Sequence, residues 1–233
     1  MAAELLIGDQ SCALFARDAA KILTFLGSGF FFKRSGRVLA ATAAHCIPGS
    51  PASLRLIATS GEYEVSVIAL DQAHDLCLLD PGKQCPPHVV TELSEEHTVQ
   101  GNLNLYAYEY STTEMRDGTW QIFPATRIGN CVRQPPMRHL FGAAGESMLE
   151  LSFPAIRGAS GAPVIEMRGE SLIVRGIVIA NAERHLLPAH IETVLSNRND
   201  LLEERKYFLP QAVAVNSAHL CKLVDEHFRA AVT

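Results

Sequence analysis

The most restrictive feature of this chain is its cadence. Short apolar runs are broken by turn signals at intervals of roughly 8–12 residues, the signature of a barrel or a sandwich. Residues 29–44 read as two strands joined by a polar, glycine-bearing turn, Lys33-Arg34-Ser35-Gly36. Residues 53–57 and 63–70 read as a second pair around Ser60-Gly61-Glu62, with Val65, Val67 and Ala69 on alternate positions. Residues 76–79 close this half, and residues 12–16 and 22–26 add two candidate strands before it. Pro81, Pro86 and Pro87, followed by Glu92, Glu95 and Glu96, read as a connection. Beyond it come strand-like runs at 103–110, 120–128, 147–153, 162–167 and 172–180.

The tail reads differently. Residues 182–206 are charged, with Ile191, Val194 and Leu195 at helical spacing and Leu201 and Leu202 following, so a helical insertion is expected there. Residues 207–215 read as a last strand. Asn216-Ser217 then caps a helix carrying Leu220, Leu223, Val224 and Phe228 on one face.

Three stretches carry candidate chemistry. Arg157-Gly158-Ala159-Ser160-Gly161-Ala162-Pro163 holds one hydroxyl proud of a glycine turn, where the N–H groups of Gly158 and Ser160 can converge on an oxyanion. Thr42-Ala43-Ala44-His45-Cys46 follows the apolar run Gly27-Ser28-Gly29-Phe30-Phe31-Phe32 and a second strand. His74-Asp75-Leu76-Cys77-Leu78-Leu79 puts an acid at the mouth of another. Singly, each has a plain explanation: a turn serine, a histidine after a strand, a loop-capping aspartate. Jointly they supply a weak nucleophile, a base with a suitable pKa range and a group to orient that base.

Composition removes other classes. A chain of 233 residues, 48% hydrophobic and 19% charged, suits a globule with a real core, as one large all-β domain or two small barrels. A net charge of −5 without a Lys/Arg-rich run argues against nucleic-acid binding. No apolar stretch reaches the roughly 18 residues a membrane span requires, and the first residues lack the basic start and apolar core of a signal peptide. Cys12, Cys46, Cys77, Cys85, Cys131 and Cys221 form no CxxC pair and read as reduced thiols, several filling the core. The remaining histidines show no ligand spacing, so neither metal nor cofactor is expected. A soluble, cytoplasmic protein is expected.

The order His45…Asp75…Ser160, with TAAHC, Asp75-Leu-x-Leu-Leu and Gly-x-Ser-Gly-x-Pro, resembles the trypsin/chymotrypsin-like serine peptidases over about residues 25–180. The resemblance implies an all-β fold of two six-stranded antiparallel barrels with a C-terminal helix. It divides the chain into a first barrel over 1–85 bearing His45 and Asp75, a connection over 86–104, and a second barrel over 105–233 bearing Ser160. It implies a serine endopeptidase acting on protein or peptide, with a specificity pocket walled by Pro154, Arg157, Ile179 and Asn181. It also implies a bacterial-type domain without the trailing PDZ domain of the Deg-type proteases.

The chain departs from the family in three places. The neighbourhood that would hold a disulfide partner for Cys46 is Phe30-Phe31-Phe32. Ala159 stands where trypsin-type zymogens place the aspartate that binds a newly cut N-terminus. Pro154 replaces the pocket acid that selects Lys or Arg. Latency until a partner protein orders the serine loop is one implication; a silent protease-fold scaffold is the alternative. The insertion at 182–206 would then edge the site as a lid or partner contact. An α/β-hydrolase elbow requires a glycine at position 162, which is alanine, and a helix after the serine, where Pro163-Val164-Ile165 reads as strand.

Overall fold

In the computed structural model the described residues are 8, 10–49, 53–83, 85–86, 88–134, 148–169, 171–185, 191–196, 199–204 and 208–230. Six strands come first: β1 (Ser11–Arg17), β2 (Leu23–Arg34), β3 (Arg37–Ala43), β4 (Ser53–Ala58), β5 (Gly61–Asp71) and β6 (Leu76–Asp80). They pair in the order β1-β4-β5-β6-β3-β2, and β2 pairs back onto β1, closing a six-stranded barrel. The β2–β3 hairpin turns on Ser35 and Gly36, both at positive φ (51° and 75°). That is the mirror-type turn whose twist matches antiparallel strands. Phe30, Phe31 and Phe32 of β2 are each fully buried. Since successive side chains leave a strand on opposite faces, β2 is covered on both sides.

The connection contributes a strand of its own. β7 (Thr91–Leu93) runs parallel to β2, with Glu92 facing Lys33, and parallel to β15 (Ser171–His185), with Thr91 facing Leu172. The remaining strands are β8 (Leu105–Glu109), β9 (Glu114–Arg116), β10 (Thr119–Gln121), β11 (Ala125–Gly129), β12 (Cys131–Arg133), β13 (Met148–Leu151), β14 (Pro163–Arg168), β16 (Ile191–Ser196), β17 (Asn199–Glu204) and β18 (Phe208–Asn216). The run expected over 120–128 divides into β10 and β11 at Ile122-Phe123-Pro124, because proline has no N–H to give a ladder. Pairing in this half runs β11-β8-β14-β15-β18-β13-β12. Its two ends, β11 and β12, follow each other in the chain with only Asn130 between them.

The expected helical insertion is corrected by the structure. The described part of residues 182–206 is strand: β15 continues to His185, and β16 and β17 form an antiparallel pair from Ile191↔Glu204 to Ser196↔Asn199. β15 meanwhile pairs with β18 from Gly176↔Asn216 to His185↔Phe208. Ile191, Thr193 and Val194 are β-branched, a type that fits a pleated surface better than a helix. The C-terminal helix α1 (Ser217–Ala230) forms as the sequence predicts. Asn216 Oδ1 accepts the Ala218 N–H at 2.9 Å as its cap, and Leu220 and Val224 are buried against the barrel.

A buried polar cluster joins the connection to the second half. Arg175 of β15, 2% exposed, donates from Nε to Glu166 of β14 (2.6 Å) and from one terminal nitrogen to Ser94 Oγ (2.6 Å) and Glu96 (2.7 Å). Ser94 O in turn accepts the Ser217 hydroxyl of α1 at 2.8 Å.

Candidate active site

His45 and Asp75 meet because their strands do. β3 ends at Ala43, which pairs with Leu76, the first residue of β6. His45 lies on the 3-10 turn Ala44–Cys46 just past β3, and Asp75 immediately precedes β6. The Ala44 N–H donates to Asp75 O at 2.9 Å, and the His45 N–H donates to Asp75 Oδ1 at 2.8 Å. Asp75 Oδ2 stands 2.6 Å from His45 Nδ1. Asp75 has φ +57°, a left-handed conformation that aspartate tolerates better than most residues. An ionised carboxylate only accepts, so Nδ1 carries the proton and Nε2 is left as the acceptor. The bond to Asp75, with the neighbouring Cys46 sulfur, raises the His45 pKa above its ordinary 6.5; partial burial opposes them.

Ser160 sits in a loop held from several sides. The peptide joining Gly158 to Ala159 is fixed at both ends: its carbonyl accepts the Ser28 hydroxyl (2.8 Å) and its N–H donates to Ile156 O (2.8 Å). The peptide joining Ser160 to Gly161 is fixed likewise, by the Ser28 N–H (2.8 Å) and by Val178 O (2.7 Å). Between them, Ala159 O accepts the Ala162 N–H at 3.0 Å. The N–H groups of Gly158 and Ser160 have no acceptor among the described residues. Gly158 and Gly161 adopt φ +98° and +87°. Space is as tight as the backbone: a Cβ on Gly27 would lie 2.9 Å from Ser160 O and 3.0 Å from Cys46 Sγ. The serine's own backbone therefore lies against the residue that follows His45. Among the described residues Ser160 Oγ makes no hydrogen bond, His45 Nε2 included. Such contacts are commonly loose before substrate binds.

A concavity of about 440 Å³ lies beside the histidine, lined by His45, Gln72, Asp75, Ile179 and Ala180. Of the four residues expected to wall a specificity pocket, Ile179 is there. Asn181 is not in that lining; its Oδ1 accepts the Ala155 N–H (2.8 Å) and its Nδ2 donates to Ala155 O (2.6 Å). It ties the loop before the serine to β15. Pro154 and Arg157 are exposed. Gln72 and Ala180 carried no sequence signal, and the contacts of Ser28 were hidden in a Gly-Ser-Gly run that reads as a strand. All six cysteines are free thiols, five of them buried. The segment after Ser160 is the strand β14, the feature that separates this site from an α/β-hydrolase elbow.

Residues 27–174 match the family model of the trypsin-like peptidase domain. A comparison with curated protein sequences returns no match. Among solved structures, the HtrA-type protease AlgW bound to a decapeptide is similar with a TM-score of 0.65 at 13% identity, over 95% of this chain and 65% of that one. The Rv3671c protease of M. tuberculosis in its active form gives 0.56 at 14%, over 96% and 82%. The serine endoprotease of Yersinia pestis gives 0.59 at 15%, over 95% and 64%. This chain thus spans about two thirds of the length of the HtrA-type protease it resembles. The closed barrel, the helix α1 and the matched span of well over half the chain lead to one conclusion: this protein belongs to the family of trypsin-like peptidase domains, a class of serine protease.

Proposed function

We propose that the chain is a serine endopeptidase that cleaves peptide bonds through an acyl-enzyme on Ser160. The observation that carries this reading is the two-point grip of Asp75 on His45, which leaves Nε2 as the free acceptor. His45 takes the Ser160 proton as the hydroxyl oxygen attacks the carbonyl carbon, then gives it to the leaving amine. Asp75 fixes the tautomer and stabilises the imidazolium. The unengaged N–H groups of Gly158 and Ser160 receive the oxyanion. The second half is read as the family's second barrel, closed through the bend at Asn130, with the Ser160 loop facing the first across a cleft. The peptide ligand of AlgW supports an extended peptide as substrate, and Ile179 beside His45 favours small or apolar side chains there.

A second reading, a resting state switched on by a partner, is favoured by one observation. The peptide joining Arg157 to Gly158 makes no hydrogen bond among the described residues, unlike its three successors. That peptide carries one oxyanion donor, so its rotation alone disables the site. Labelling with a fluorescent phosphonofluoridate, with Ser160→Ala and His45→Ala beside wild type, tests both readings. Labelling of wild type alone is expected. A folded but unlabelled wild type would overturn the constitutive reading and favour the latent one.

A further inference from the structure

We propose that Ser28 is a positioning residue for the oxyanion-binding loop, acting from the opposite half of the molecule through its side-chain hydroxyl. The inference rests on the Ser160 reading above and extends it to a residue outside the triad.

Ser28 lies in β2, fully buried, and hydrogen-bonds beyond its own sheet ladder through its N–H, its carbonyl and its hydroxyl. Its N–H holds Ser160 O at 2.8 Å, and its carbonyl accepts the Thr42 hydroxyl at 2.8 Å. Its Oγ accepts the Tyr110 N–H at 3.0 Å and lies 2.8 Å from Gly158 O. A hydroxyl has a single proton to donate. Tyr110 can only give and Gly158 O can only accept, so the Ser28 proton points at Gly158 O. The direction of that bond follows from its partners.

The Gly158 carbonyl is one end of the peptide that follows the Gly158 N–H. With φ at +98° and no Cβ, Gly158 has little intrinsic preference to keep this conformation. Its neighbours also confine it. A Cβ there would meet the Phe25 ring at 2.8 Å and Ser111 Cα at 3.2 Å, so the residue is walled but not bonded on that side. The Ser28 hydroxyl and the Ile156 carbonyl are what fix the following peptide. Removing the Ser28 hydroxyl takes from Gly158 O its side-chain donor, and the peptide is then free to rotate toward another. The Gly158 N–H is then aimed away from the reacting carbonyl oxygen. Gly27 and Gly29 flank Ser28, and the tight fit of Gly27 against Ser160 O is what lets β2 come this close.

The test uses the burst of p-nitrophenol from p-nitrophenyl acetate, followed against ester concentration, with phosphonofluoridate labelling in parallel. Ser28→Ala is expected to lower the maximal burst rate roughly 10- to 100-fold, with the half-saturating concentration unchanged. Arg175→Met makes none of these contacts and serves as a destabilised control; its burst rate per folded molecule is expected to match wild type. A Ser28→Ala burst rate equal to wild type would overturn the assignment. So would a loss shared in proportion by both variants, which is what a purely structural role produces. If Ser28→Ala does not fold, Ser28→Cys keeps a weaker donor in place and must show an intermediate burst rate; a wild-type rate would overturn the proposal. A wild type that acylates at no site removed by Ser160→Ala would overturn the triad reading itself, and this assignment with it.

Discussion

Asp75 holds His45 at two points at once, with Oδ2 2.6 Å from Nδ1 and Oδ1 accepting the main-chain N–H at 2.8 Å. One carboxylate thus sets both the ring's tautomer and the position of the turn that bears it. Asp75 is able to do so because it occupies the left-handed region directly before β6, which aims its side chain back across the sheet at the turn after β3.

Asp75→Asn places an amide where a double acceptor stood. One of its atoms still accepts the His45 N–H, but the other now donates to Nδ1 and drives the proton to Nε2. Catalysis is expected to fall by roughly 10⁴-fold while the fold persists, because the tautomer is wrong for a base. The phosphonofluoridate labelling rate, set beside the circular dichroism spectrum, reads both.

The activity of wild type should rise with pH. Asp75 favours the charged imidazolium, so the His45 pKa lies above 6.5 and the neutral base is scarce in acid. The acylation rate is expected to climb through a midpoint above 6.5, and Asp75→Asn should lower that midpoint. The sign for stability is opposite. A raised folded-state pKa gives stabilisation that is complete below 6.5 and lost as pH rises through the folded value. Thermal melts across this range should therefore show a small decline where activity increases.

Gly161→Ala should damage the fold. A Cβ at this position would lie 2.1 Å from Ser28 O and 2.3 Å from Thr42 Oγ1, and φ +87° suits glycine alone. Ser28 O is main chain of a barrel strand and cannot swing aside, and Thr42 Oγ1 could do so only by giving up its bond to that carbonyl. A loss of about 3 kcal/mol or more is expected in urea unfolding, together with loss of labelling.

Arg175→Met should cost about 3 kcal/mol, because it strands Glu166 in a buried site with Arg168 as its remaining cation. Burial pushes the Glu166 carboxyl up, but hydrogen bonds from Arg168 and Arg175 outweigh it and hold the pKa below the usual 4.5. That stabilisation is present above 4.5 and is lost as pH falls through the folded value. Wild type should therefore lose more stability than Arg175→Met on acidification in this window, as read by urea midpoints.

Much of the site was legible in the chain because its parts are local. A glycine-bounded serine, a histidine after a strand and an aspartate before one are each written within a few residues. The C-terminal helix was legible for the same reason, with its Asn216 cap and its apolar face at helical spacing. The insertion was not. Ile191, Val194 and Leu195 fit a helical face, yet β16 pairs with β17. The two-ended hold of Ala155 on the Asn181 amide was not legible either, because nothing nearby in sequence pairs the two residues.

The sequence by itself determined the strand cadence, the residue types that the proposed acyl transfer requires and the glycines that let a loop take positive φ. These depend on period, side-chain chemistry and backbone sterics, which act over a few residues. Only the tertiary structure decided that the hydroxyl of Ser28, in the closed barrel, would end on Gly158 O, and that Arg175 would gather Glu166, Ser94 and Glu96. Those bonds join partners about 80 to 130 residues apart, Glu166 excepted. Their selection rests on the rule that a buried donor or acceptor must find a partner, and which partner is within reach is known only once the strands have closed.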